Sequence, residues 1–196
     1  MNSKSIGLIV SAVIGALVLI TGISLIAGYN SLVKLEESIN LKMATVDSRL
    51  QERKDKIDQL VDVVEGYTTV EQSIYTMITN ARTAYAAAKL SGNPDDMAEA
   101  EALEVQAVNA LLAIAEDNPE IKSSQVYISL MIEISSMESA LSTARLRYNE
   151  SVASYNSSAR QFPRVIFVNL FNFETTKTYW KIDDGATEVP DINFGE

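Results

Sequence analysis

Apolar and polar positions follow two regimes along this 196-residue chain. Residues 6–27, IGLIVSAVIGALVLITGISLIA, contain no charged residue and no proline. As a helix rising about 1.5 Å per residue, such a run reaches about 30 Å, the thickness of a bilayer's hydrocarbon core. Past residue 29 the apolar positions alternate by four and three, from Ile39, Met43, Val46 and Leu50 to Ile78, Ala81 and Tyr85. That is the period of helices burying one face in a bundle or coiled-coil seam. Arg53 and Glu71 intrude on the stripe, and Val61, Val63 and Val70 widen it beyond a two-stranded seam, so several helices are expected to pack together.

Turn chemistry divides the rest. Ser91-Gly92-Asn93-Pro94 offers a C-cap glycine, an N-cap asparagine and a proline for a first helical position, followed by Asp95 and Asp96 at the positive end of the helix dipole. A helix of Ala, Leu and Glu runs to about Glu116, Asn118-Pro119 closes it, and a long helix is expected over 123–161, ended by Pro163. The long helix has its own seam, from Tyr127 and Met131 to Tyr155 and Phe162, with Glu138 and Arg145 as intruders. Residues 164–173 are apolar and aromatic, and 181–196 read as an extended acidic tail.

Helix lengths match best if the first helix breaks near Gly66, with Thr68-Thr69-Val70-Glu71 as a capping box. The unslipped four-three phase through Gly66 favours one continuous helix instead. With the break, the fold class is all-α: an N-terminal transmembrane helix, an elongated up-down four-helix bundle, and an aromatic, irregular C-terminal tail. The expected divisions are 1–28 (anchor), 29–163 (bundle) and 164–196 (apolar, aromatic segment and acidic tail).

Antiparallel first and last helices of equal reach place Arg53 beside Glu138 and Asp47 beside Arg145. A lone buried charge is costly and a paired one tolerable. Two register-fixing ion pairs are therefore one reading, and charges that snorkel to the surface are the other. Tyr-Asn occurs at Tyr29-Asn30, Tyr148-Asn149 and Tyr155-Asn156. The first and last of these share the membrane-proximal end in this register, as ordinary seam tyrosines or as rings with wet hydroxyls beside bridging amides. The aromatic run from Phe162 to Trp180 either covers the bundle end or meets the bilayer interface.

Composition removes most chemistries. The formal net charge is −10, which argues against nucleic acid and against electrostatic docking on anionic lipid. Histidine and cysteine are absent, so Ser-His and Cys-His nucleophile pairs, redox dithiols and the usual zinc, copper, haem and iron–sulfur ligands are missing. No catalytic, cofactor-binding or metal site is expected, and no small-molecule substrate is evident. The carboxylate pairs Glu36-Glu37, Asp95-Asp96 and Glu99/Glu101 point to different sides of a helix and read as solvated surface. Asp183-Asp184-Gly185 with Glu188 lacks the ligand alternation of a calcium loop.

The run 6–27 is longer than the roughly 7–15 apolar residues of a signal peptide, and Leu25 stands where a cleavage motif wants a small residue. A retained single-pass anchor in a cell membrane is expected. The lysines and arginines flanking it lean towards a cytoplasmic bulk by too thin a margin to fix the side. Gly7, Ser11 and Gly15 lie four apart, as in closely packed membrane helices, though glycine is common in such helices generally.

Four blocks together resemble the LemA family over residues 29–173. Tyr29-Asn30-Ser31-Leu32-Val33 follows the anchor. Val46-Asp47, Leu50, Arg53, Asp55, Ile57 and Leu60-Val61, with Gly66-Tyr67 and Glu71, form the central block. Ala81-Arg82 follows. The last block is Glu138, Ala144-Arg145, Tyr148-Asn149, Val152, Tyr155-Asn156 and Phe162-Pro163. Asp58-Gln59 and Val70 depart from the family's usual Pro-Asn and His. The resemblance implies a single-pass bacterial membrane protein with an elongated four-helix bundle and no established activity, resembling a membrane-associated scaffold, with one branch tied to magnetosome membranes. Three functional classes follow. One is a non-enzymatic scaffold acting through self-assembly or a membrane-protein partner at the lipid bilayer. Another is an envelope sensor or adaptor for a membrane protease or signalling kinase. The third is a hydrolase, for which no residue is nominated.

Overall fold

The computed structural model describes residues 3–181, and among them it contains six helices and no strand. They are α1 (Ser3–Glu65), α2 (Gln72–Ser91), α3 (Pro94–Asp117), α4 (Pro119–Lys122), α5 (Gln125–Arg160) and α6 (Arg164–Leu170). The chain forms two compact units: Met1–Leu41 with Glu150–Lys177, and Lys42–Asn149 with Thr178–Glu196. The helices α1 and α5 contribute residues to both.

In the first unit, α1 begins with the apolar run. Its most apolar 18-residue window has a mean hydropathy of 2.6, and none of that window is buried in the protein. It is long and apolar enough to cross a membrane. Burial starts where the run ends. Gly28 is covered, and Leu32 and Ile39 follow at helical spacing, while Val152, Tyr155 and Ala159 of α5 are also buried. Phe167 and Val168 of α6 are buried as well. Gly28 is required here by close approach: a Cβ on it would lie 2.5 and 2.7 Å from the Phe167 ring. Asn172, in the left-handed region at φ 58°, closes α6 while the Phe173 N–H donates to the Val168 carbonyl at 3.0 Å. That is a Schellman-type end, with asparagine in the place glycine commonly takes.

In the second unit, Leu60, Val61 and Val64 of α1, Ile74 and Ile78 of α2, Ala107, Leu111 and Ala115 of α3, Ile121 of α4 and Met131 of α5 share one core. The α1 seam is buried at Val46, Leu50, Arg53, Ile57, Leu60 and Val64, as the four-three pattern requires.

The break falls at Gly66, where α1 ends at Glu65, but the capping box does not form. Glu71 is itself the N-cap of α2, makes no side-chain cap bond and is exposed, so its place in the seam stripe does not translate into burial. Tyr67 is exposed too. The helical phase stops at Glu65, and these residues sit on a turn. The Gly92 turn follows the sequence closely. Gly92 is left-handed at φ 65°, its N–H reaches the Ala88 carbonyl, and the Asn93 side chain accepts from the Asp95 N–H at 3.1 Å. The stretch 164–170, expected to be irregular, is the helix α6. The acidic tail and the Asp183–Glu188 carboxylates lie outside the described residues.

Candidate functional site

Two arrangements gather the singled-out residues. The first is a buried charge cluster in the second unit, built on three helices. Arg53 of α1 donates from Nη1 to Glu101 at 2.9 Å and to Glu138 at 2.7 Å, and from Nε and Nη2 to one oxygen of Glu104 at 3.0 and 2.5 Å. Arg145 of α5 donates to the same Glu101 oxygen, lies 3.7 Å from Glu138, and places its guanidinium 5.6 Å from the centre of the Trp180 ring. Arg53, Glu101 and Arg145 are all buried. The Arg145 Nε has no hydrogen-bond partner, so the Trp180 face carries part of the stabilisation of this cation.

Burial pushes the Glu104 carboxyl above its ordinary range, and the Arg53 guanidinium offsets only part of that. For Arg53, burial works against the cation, but Glu104, Glu101 and Glu138 outweigh it and hold the proton more firmly than usual. Beside the cluster is a cavity of about 20 Å³, lined by Leu50, Ile57, Tyr85, Ala100, Glu101 and Glu104 among others. That is room for one water molecule and not for a substrate.

Arg53 reaches Glu138, but Asp47 does not reach Arg145. Asp47 instead accepts from the Tyr85 hydroxyl and pairs with Lys89 at 2.8 Å. Burial alone would raise its carboxyl, yet the bonds from Lys89 and Tyr85 and the Lys89 charge bring it below the ordinary value. Burial and the Asp47 carboxylate in turn push the Tyr85 hydroxyl up. Tyr85 and Lys89 sit on α2, so the antiparallel register of two helices could not supply these partners.

Glu101 was expected on a solvated surface and is buried instead. It and Glu104 are the members that pairing α1 with α5 alone overlooks. A signal was present, because Met97, Ala100, Glu104, Ala107 and Leu111 follow a four-three stripe of their own with Glu104 as its charged intruder.

The second arrangement is a pair of asparagine clamps on α5. In the first unit, Asn156 donates from Nδ2 to the Lys177 carbonyl at 2.9 Å and accepts the Lys177 N–H at 2.7 Å. The Tyr155 hydroxyl donates to the Glu174 carbonyl at 2.7 Å. Lys177 lies 2.8 Å from Glu36 and 3.1 Å from Glu174. Although burial disfavours its charge, those carboxylates raise its affinity for the proton. In the second unit, Asn149 treats Trp180 the same way, at 3.1 and 2.8 Å, and the Tyr148 hydroxyl donates to the Thr178 carbonyl at 3.0 Å. Each amide spends its donor and acceptor on one residue's main chain, as a neighbouring strand would.

Tyr29-Asn30 forms no such clamp. Tyr29 packs edge-on against Phe171 and Phe173, with ring centres 5.1 and 5.5 Å away, and Asn30 is exposed. Phe162, placed at the end of the α5 seam by its spacing, is exposed, and the Phe162–Pro163 peptide is cis, with Pro163 at the N-cap of α6. Trp180 is buried beside Arg145 and Tyr148. Among the described residues, no group of Asp and Glu is arranged to hold a metal ion.

A helical protein whose described residues hold a membrane-length apolar helix, a buried arginine–glutamate cluster and a clamped non-helical segment is the class that these features define. Residues 42–194 match the LemA family model, and the chain belongs to the LemA family. Magnetosome proteins MamQ 1 and MamQ 2 of Paramagnetospirillum magneticum are each 21% identical over 190 residues, spanning 85% of this chain and 70% of theirs. Magnetosome protein MamQ of Magnetospirillum gryphiswaldense is 20% identical over the same shares.

Proposed function

We propose that this chain is a non-catalytic, single-pass membrane scaffold that acts through self-assembly or by holding a protein partner at a bilayer. The observation that carries this reading is the exposed apolar run of α1, which passes without interruption into a packed helix. Among the described residues nothing covers that run, and water is a poor solvent for it, so lipid is its natural surround. The buried charges support the non-catalytic half of the reading. Three carboxylates converge on Arg53, each accepting a hydrogen bond from that guanidinium. Buried ion pairs of this kind fix which helices meet and in what register. The LemA-family relatives named as magnetosome proteins are consistent with this reading.

The test is the native mass of the full-length chain extracted in mild detergent. A multiple of the single-chain mass, lowered by Gly15→Leu in the open stretch of the span, supports self-assembly. A single chain with a stoichiometric foreign protein supports partner binding. A lone monomer in either background overturns the scaffold reading.

A further inference from the structure

We propose that α6 lies in the interfacial layer of the bilayer, with Phe162, Ile166 and Leu170 turned into lipid. They are 81%, 52% and 64% exposed: Ile166 and Leu170, four apart, share one face of α6, and Phe162 lies in the turn that leads into it. The neighbouring Phe167 and Val168 are buried, so the helix is held by one side and leaves the other bare. Three large apolar side chains open to water, two on a helix of 7 residues and one in the turn before it, form a costly surface.

The occupant follows from where α6 is fastened. The Phe167 ring sits on Gly28, the residue after the membrane-length run, so the bare stripe begins beside the point where that run ends. The two apolar surfaces belong to the same unit, and the Gly28–Phe167 contact joins the elements that carry them. Charge agrees with this placement. Residues 151–173 contain no Asp or Glu, in a chain that has 26 of them, while Arg160 and Arg164 lie at the N-terminal end of α6. An interfacial helix of this kind buries its apolar side about 5–10 Å deep, at the boundary of headgroups and acyl chains, with arginines at phosphate level.

The inference rests on the anchor reading, and one experiment separates the two. The chain has no cysteine, so Ile166→Cys, Leu170→Cys and Leu17→Cys each give a single bimane label on the full-length protein. The labelled proteins are reconstituted in phosphatidylcholine vesicles with and without brominated acyl chains, and iodide is added from the water side. All three labels are expected to lose emission to brominated lipid, with 166 and 170 protected from iodide. Quenching at 17 but not at 166 and 170 overturns the proposal and leaves the anchor standing. Labels at 166 and 170 that resist both quenchers show the stripe covered by protein, a second copy included, and overturn it too. Absence of lipid quenching at all three positions removes the anchor itself.

Discussion

Asn156 holds Lys177 by both of its main-chain groups: the amide nitrogen donates to the carbonyl at 2.9 Å and the amide oxygen takes the N–H at 2.7 Å. This is how a helix, whose own backbone bonds are spent, binds a non-helical segment. The first prediction follows. A net hydrogen bond is worth about 1 kcal/mol, so Asn156→Ala raises local opening around Lys177 by roughly 10- to 30-fold. Limited trypsin digestion should cut after Lys177 faster by about that factor. Asn149→Ala should do the same after Lys181. Unchanged cleavage rates contradict the clamp.

The Arg53 cluster predicts a large asymmetric cost. Arg53→Met leaves Glu101, Glu104 and Glu138 without their shared cation and should destabilise the fold by about 3–5 kcal/mol in denaturant unfolding. Adding Glu104→Gln should recover part of the loss, because it neutralises a buried carboxylate. Double-mutant cycles should give Arg53 a larger coupling to Glu104, which takes two of its bonds, than to the half-exposed Glu138. A coupling to Glu104 below about 0.5 kcal/mol contradicts the cluster.

Much of this was legible in the chain. The apolar run, the α1 seam and the Gly92 turn follow from the chain itself, because helical period and cap chemistry are local, while the Arg53–Glu138 pair is one of two readings that an antiparallel register allows. Arg145 and Asp47 show where that stops. Each was matched by pairing two helices, while the real partners of both include residues of a third, Glu101 on α3 and Lys89 on α2. Which helix fills a gap between two others is a tertiary choice, and no periodicity within α1 or α5 encodes it. The clamps were hidden for a related reason: Tyr148-Asn149 and Tyr155-Asn156 stand out as a repeat, but their partners are backbone groups, which leave no mark in side-chain identity.

Stability should fall on both sides of neutral pH. Asp47 is held below its ordinary value near 3.8, so its contribution is present above that pH and is lost as the pH falls through its folded value. Glu104 has the opposite sign, because its raised carboxyl favours the fold below the ordinary 4.5 and loses that contribution as pH rises through the folded value. Asp47→Asn should therefore flatten the acid limb, and Glu104→Gln should lie closest to wild type at low pH. Tyr85, Tyr155 and Lys177 are all raised from ordinary values of 10.0, 10.0 and 10.5, so stability should drop once the pH passes about 10, less steeply in Tyr85→Phe. Urea midpoints measured from pH 3 to 11 check both limbs.

Gly28 and Phe167 form a lock by contact. Gly28→Ala puts a methyl against the ring and should cost about 1–3 kcal/mol. In the Phe167→Ala background the same change should cost much less. Additive effects of the two substitutions in thermal unfolding would show that the ring does not rest on the glycine.

The central claim is that the apolar start of α1 stays on the protein and holds it in lipid. The direct measurement is the intact mass and membrane fraction of the protein isolated from cells after alkaline carbonate washing. The account predicts a full-length mass, with residues 6–27 present, in the washed membrane pellet. A shorter chain beginning after Ala27, recovered in the soluble fraction, contradicts it.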